Sequence, residues 1–456
     1  MDNSVKNYID TIRDEAMEKG IVASILYHHE KSHLMRIGNN SVSLSTSEEL
    51  TRLDIEVTNG KKQGSHTQLG EVTSLEYLRE ALELTIKKAE VGKDKDYTPI
   101  IDEVEETIEQ CDQFDEDLFS MNPEFKAKSY KAIIDEVGDK YNFSGSWSSG
   151  STEYYFVSTA NKNSVFRKGT DQAFNIVLKH PEKLWELNHV QSGWRKDQFS
   201  TNDTIEHFKR LLEVYENNDG FYVKPNEYKV MLGAEAIAEL IGSAVWTGFS
   251  GEAYEEDRGW NAGKKFGDKV LSEKITLADD PSDDNTFKFK FDLSGRKREF
   301  FPFVEEGKFK NLIYGSTAAA KYNKKPTAHS VTGISLSLKT GDGEACPIEA
   351  TKGMGKVLYI PALHYINMPN PNKGIFTGSS RFNALLIEDG KVISPIFSSR
   401  ITDSFGAVFG NVLKVSGKSV SMNQSNTYGR RSPVATSVPS YIISENIKIT
   451  DCAKSF

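Results

Sequence analysis

Ala234-Glu235-Ala236-Ile237-Ala238-Glu239-Leu240-Ile241-Gly242-Ser243-Ala244-Val245-Trp246 reads as one helix, and it divides the chain into two unlike halves. Beyond it nearly everything reads as short β-segments separated by Gly, Asn and Pro turns. Before it, helices and strands are mixed. Val5, Tyr8, Ile9, Ile12, Ala16 and Met17 recur at helical spacing and Gly20 stops the run. Ile21–Tyr27 and Leu34–Ile37 read as two strands, followed by alternating segments through Ile55-Glu56-Val57. Capping boxes at Thr73-Ser74-Leu75-Glu76 and Asp203-Thr204-Ile205-Glu206 open further helices. Asn122-Pro123 opens another by placing Asn at the cap and Pro in the first turn. Between Tyr141 and His180 the pattern is strands with small polar turns, and Asn217-Asn218-Asp219-Gly220 breaks the last helix before the boundary. The fold class is α+β: a mixed α/β N-terminal domain (1–220) with antiparallel strands and flanking helices, then a β-rich C-terminal domain (221–456).

Two domains are also what 456 residues lead one to expect, because a single core stops growing at roughly 250–300. Hydrophobic residues at 38% and charged residues at 27% are those of a globular protein, not a disordered one. No apolar run approaches the roughly 18 residues of a membrane helix, and Met1-Asp2-Asn3-Ser4 lacks the basic start of a signal peptide. Three widely spaced cysteines, Cys111, Cys346 and Cys452, argue against a disulfide framework. The expected location is cytoplasmic. The net charge of −9 equals the nine acids between Asp102 and Asp117, a stretch without Lys or Arg that reads as a solvated helix or linker. The balanced remainder offers no basic surplus for nucleic acid.

His29-Glu30-Lys31-Ser32-His33 matches the zinc-protease pattern H-E-x-x-H, whose chemistry needs a helix to put both imidazoles on one face. Here it lies between two strand-like runs, which makes it a solvated hairpin tip; on a strand the two His would stand ~13 Å apart. Gly417-Lys418-Ser419 lacks the glycine a phosphate loop requires, and no nucleophile elbow occurs. Cys346 reads as a free thiol and Asp279-Asp280-Pro281 with Asp283-Asp284 as a turn rather than a cation site.

The second half resembles the TldD/PmbA family, the modulators of DNA gyrase. The resemblance is carried by the helix Ala234–Trp246 with Gly251, Asp279-Asp280-Pro281, Phe291-Asp292 with Gly295, and Glu306-Gly307-Lys308-Phe309-Lys310-Asn311-Leu312. It continues through Ala318-Ala319-Ala320, Thr377-Gly378, and Ile387-Glu388-Asp389-Gly390-Lys391 with Pro395. One branch of that family is a peptidase that holds zinc through a helix motif H-E-x-x-x-H and a C-terminal Cys, with zinc-polarised water and Glu as base. The PmbA (TldE) branch lacks these ligands and pairs with the first. On the helix motif this chain has Ala238, Glu239 and Ser243, and at the Cys position it has Tyr428 of Thr427-Tyr428-Gly429. Ala has no donor atom, and neutral Ser or Tyr is a poor zinc ligand.

The resemblance therefore implies no catalytic residue, cofactor or metal in this chain, with Glu239 as a relic. It implies a non-catalytic subunit of a cytoplasmic metalloprotease complex that shapes a cavity and binds extended peptide. Zinc is expected in a TldD-like partner, or the chain forms a homodimer; neither membrane nor direct nucleic-acid contact is expected. The alternatives are a self-sufficient zinc metallopeptidase using His29 and His33, and a protein-binding modulator of DNA gyrase.

Overall fold

The N-terminal half is built on a seven-stranded sheet, and the alternation of its first strand explains why both of its faces are covered. In chain order the elements are α1 (Asn3–Glu18), β1 (Val22–Gly38), β2 (Ser41–Asn59), β3 (Lys62–Leu69), α2 (Leu75–Val91), β4 (Ile108–Gln113) and α3 (Glu116–Phe119). There follow α4 (Pro123–Val137), β5 (Asn142–Ser158), β6 (Ser164–Lys179), β7 (Glu186–Gly193), α5 (Thr201–Asn217), β8 (Asn226–Gly233) and α6 (Ala234–Gly248). The strand order is β3-β2-β1-β5-β6-β4, with β7 also paired to β6. All neighbours are antiparallel except β4, which runs parallel to β6. This computed structural model describes residues 1–329, 335–425, 431–454 and 456.

Successive side chains of a strand point to opposite faces. Ala23, Ile25 and Tyr27 of β1 pack with Ile9, Ile12 and Ala16 of α1 and Leu78, Ala81 and Leu82 of α2. Met35 and Ile37, further along the same face, join Tyr130, Ile133 and Ile134 of α4. The alternate residues look the other way, toward the C-terminal half: Leu26 lies against Phe287 and Phe289, and Glu30 meets the backbone of Arg431.

The C-terminal half contributes two sheets. The nine-stranded one has β8 near its centre, between Lys356–Ile360 and Tyr441–Cys452, and the six-stranded one ends on the edge strand Ser419–Asn423. Helix α6 leaves β8 directly and packs Ala236, Ile237, Leu240, Ile241, Ala244 and Val245 into the core shared by both sheets. Gly248 is required there: Trp260 Nε1 donates to the Ala244 carbonyl (3.0 Å), and a Cβ at 248 would sit 2.1 Å from that nitrogen. No helix among the described residues is long and apolar enough to cross a membrane.

Several expectations need correction. His29–His33 is not a hairpin tip: β1 runs unbroken from Val22 to Gly38 and turns at Asn39-Asn40, because pairing with β2 and β5 on both sides satisfies its polar centre. The acidic stretch is neither a helix nor a free linker. Its middle is β4, whose Gln110 and Gln113 side chains bond the backbone at Lys288, Lys290 and Thr286. Its acids meet Arg296 (Asp102, 3.0 Å), Lys297 (Glu106, 2.9 Å) and Lys290 (Asp112, 3.6 Å), cations supplied from the other half of the chain. Two helix starts also move: α2 is capped by Ser74 and α5 by Ser200, whose side chains accept from Tyr77 N (3.2 Å) and Asp203 N (3.1 Å). The cap at Asn122 is where the sequence places it, Oδ1 accepting from Phe125 N at 2.9 Å. Asn122→Ala should therefore cost about 1 kcal/mol in urea unfolding without changing the m-value.

Candidate functional site

Between α6 and the face of the N-terminal sheet turned toward the C-terminal half lies a cavity of about 460 Å³. Glu30, Arg36, Glu48 and Asp171 line it from the sheet, and Glu235, Ala238 and Glu239 from α6. The spacing of four brings Glu235 and Glu239 onto the same helix face. Burial lifts the Glu235 carboxyl to about 7; the Asn188 amide opposes the rise and the neighbouring Glu239 adds to it. Glu239 is open to the cavity yet deep within the protein's envelope, so lost solvation raises it to about 7 as well. Burial also pushes Glu30 up, against the pull of Arg431.

Arg431 joins the two halves. Its guanidinium is buried and grips Asp171 with two 2.7 Å bonds, donates to Ser148 Oγ at 2.8 Å, and its backbone N–H donates to Glu30. Tyr154 OH donates to the Arg431 carbonyl (2.8 Å). On the neighbouring strand end, Asn423 donates to the Gln172 carbonyl (3.0 Å).

A second cavity of about 520 Å³ adjoins the first, sharing Gln191, Ser192, Glu235 and Met422. Asn188 Nδ2 donates to Glu235 (3.2 Å), and its Oδ1 accepts from Asn383 Nδ2 (2.7 Å). His189 and His207 stack beside it with ring centres 4.4 Å apart. Burial, reinforced by the neighbouring His207 and Arg210, holds His189 at about 3; burial also holds His207 at about 4. Both are therefore neutral at physiological pH.

Among the described residues, the strand edges around these cavities have no further ladder partner: β7 pairs with β6, and Ser419–Asn423 with Ala435–Pro439. The two edges approach through Ser192 Oγ, which donates to the Ser421 carbonyl and accepts from Asn423 N, both at 3.1 Å. At the opposite rim, β3 pairs with β2 as far as Arg52, and among the described residues the stretch carrying Thr46 and Glu48 has no strand partner on that side at the cavity mouth.

Of the residues singled out from sequence, Ala238 and Glu239 reach the cavity. Ser243 is half-buried one turn further on, where its carbonyl accepts from Thr247 Oγ1 (2.7 Å). Tyr428 lies outside the described residues. His29 and His33 sit on the opposite face of the sheet. His29 Nε2 meets Glu49 (3.1 Å), while His33 Nε2 meets Ser45 Oγ (3.0 Å) and its Nδ1 meets Lys126 Nζ (2.9 Å). Zinc, the metal the family resemblance implies, finds no donor in the methyl of Ala238 and a poor one in the hydroxyl of Ser243. Among the described residues no group of three His, Cys, Asp or Glu could hold a metal ion.

Sequence reasoning missed Glu235, Asp171 and Arg431, and met Glu30 only as the glutamate of the His29–His33 pattern. Glu235 was within reach, four residues before Glu239. The other three are brought together only by the packing of the two halves.

A parallel and antiparallel β-rich half organised on one helix, docked on an antiparallel N-terminal sheet, defines the class: residues 225–451 match the PmbA/TldA metallopeptidase C-terminal domain, and this half of the chain belongs to the PmbA/TldD family. Its particular relatives among solved structures span the whole chain. TldE from Thermococcus kodakarensis is 19% identical, with 97% of this chain and 100% of that one covered at a TM-score of 0.78. A candidate modulator of a DNA gyrase from Thermotoga maritima is 15% identical, covering 98% and 100% at 0.77. Another, from Bacteroides thetaiotaomicron, is 14% identical, covering 98% and 99% at 0.76. At these identities the likeness establishes the fold. No curated protein matches the chain by sequence.

Proposed function

We propose that this chain is a non-catalytic, TldE-like subunit of a TldD-type metalloprotease complex, holding an extended peptide while a zinc-bearing partner cleaves it. What supports this reading is α6: it presents Glu239 to a cavity bordered by strand edges without a ladder partner among the described residues, and the sequence resemblance sets Ala238 and Ser243 against the histidines of the zinc branch. Free edges suit an extended peptide because backbone hydrogen bonds are indifferent to its sequence. The alternative of zinc on His29 and His33 is disfavoured by their strand, which separates them by ~13 Å, and by their Glu49, Ser45 and Lys126 partners.

The test is co-expression with a zinc-bearing homologue, followed by co-purification and peptidase assay. A stoichiometric complex with peptidase activity above that of the homologue alone is expected, together with near-zero zinc in this chain purified by itself. About one zinc per chain, lost in His29→Ala, would overturn the proposal in favour of a self-sufficient enzyme.

A further inference from the structure

The second cavity holds two polar groups that the chain itself leaves unanswered. His207 Nε2 lies 2.9 Å from the Asn188 carbonyl, which can only accept, so this nitrogen carries the ring proton. Burial, with Arg210 adding to it, keeps the ring from taking a second proton near neutrality. Nδ1 is therefore left as a bare lone pair, and it has no hydrogen-bond partner among the described residues. The other group is Tyr359, on the strand Lys356–Ile360. Burial, with the charge of Glu235 adding, pushes its phenol up to about 12, so it keeps its proton. Its hydroxyl likewise has no hydrogen-bond partner among the described residues. Both residues line the cavity, and neither atom is sealed away from it.

The rest of the lining sets the character of a ligand. Leu211, Pro361, Val420 and Met422 give an apolar wall. The amides are already used: Asn188 bonds Glu235 and Asn383, and Gln191 bonds Ser200 and Thr204. Among the lining residues Glu235 is the one carboxyl, and there is no Lys, Arg or Asp. A ligand that fills this space needs an apolar body with, at its tip, a donor for Nδ1 and an acceptor for the Tyr359 O–H. A hydroxyl is both at once. Ammonium and guanidinium groups donate but cannot accept. A carboxylate cannot donate and meets Glu235, and a phenyl ring does neither.

The cavity adjoins the edges of β7 and Ser419–Asn423 and shares Gln191, Ser192 and Met422 with the first cavity. An extended peptide along those edges can turn a side chain into it. We propose that the second cavity is the subsite for a tyrosine of the bound peptide, its phenol donating to His207 Nδ1 and accepting from the Tyr359 hydroxyl. This rests on the peptide-binding reading and names a side chain that the peptide carries.

The experiment is fluorescence anisotropy of the full chain with labelled Ser-rich peptides of about ten residues, each with a single central Tyr, Phe or Lys. The Tyr peptide should bind at least about tenfold tighter than the Phe peptide, because Phe leaves both polar groups desolvated and unpaired. The Lys peptide should also bind more weakly than the Tyr peptide. Tyr359→Phe removes one hydroxyl and keeps the ring; His207→Phe keeps a ring on His189 and removes Nδ1. Each should cut the ratio of Tyr to Phe affinity severalfold, and the two together should bring it to about one. Tyr359→Phe breaks no hydrogen bond among the described residues, so it decides the matter even if His207→Phe, which forfeits the bond to Asn188, unfolds the chain. Equal binding of the Tyr and Phe peptides, tightest binding of the Lys peptide, or a preference untouched in Tyr359→Phe overturns this inference alone. No binding of any peptide overturns it together with the peptide-binding reading.

Discussion

Replacing Arg431 with Met lowers the unfolding free energy by about 3–5 kcal/mol, the range for stripping one partner from a buried ion pair. Arg431 and Asp171 are each about 2% exposed or less, so Asp171 would be left as a buried carboxylate without its cation, with only the distant Asn423 Nδ2 (3.4 Å) and Ser425 Oγ (3.5 Å) beside it. The loss is measured as a drop in the urea midpoint. If the chain unfolds in two transitions, the one reporting on contact between the halves should move first, because Arg431 also bonds Ser148, Glu30 and Tyr154 across that junction. The double variant Arg431→Met/Asp171→Leu should recover much of the loss, since an apolar pair removes the stranded charge. A single variant within about 0.5 kcal/mol of wild type would show that the pair does not hold the halves together.

Lys126→Met should reverse the sign of its effect on stability between neutral and alkaline pH. Lys126 is fully buried without a carboxylate partner; its Nζ meets His33 Nδ1 (2.9 Å), His33 O (3.0 Å) and Trp147 O (3.2 Å). Burial, with Arg431 adding, holds its amine down at about 7. In the unfolded chain it titrates near ~10.4. Between these values the unfolded state binds a proton the native state lacks, so stability rises with pH through the window, by up to about 4–5 kcal/mol over its full width. Below pH ~7 both states are protonated and the native state bears the whole cost of a buried cation. Met carries no such cost but forfeits the hydrogen bonds, worth about 1–3 kcal/mol together. The variant should therefore be more stable than wild type at pH 7 and less stable at pH 10. Denaturant titrations at both values decide it; parallel curves across this range would place the amine's proton elsewhere.

The fold class and the family were legible in the sequence because they rest on local signals. Asn122-Pro123 caps a helix wherever it stands, and Ser158–Asn163 turns between two strands whose residues alternate. Ala234–Trp246 was readable for the same reason, and with it Glu239. The two larger misreadings share one cause, which is that a partner from another element overrode the local pattern. Polar His29-Glu30-Lys31-Ser32-His33 belongs in a turn until β2 and β5 flank it on both sides. The acids of Asp102–Asp117 belong in solvent until Lys290, Arg296 and Lys297 reach them.

The sequence by itself determined the elements that depend on near neighbours: helix stripes, caps, turns, and the absence of His and Cys from α6, which is a matter of which atoms are present. The tertiary structure decided where charge would be costly. Only packing withdraws Glu235 from water and sets Glu239 over the cavity, sets Glu30 beside Glu48, closes Arg431 on Asp171, and seals Lys126 beneath Trp147. Desolvation depends on everything that surrounds a group, most of it distant in sequence, and so the cavity's chemistry could not be read along the chain.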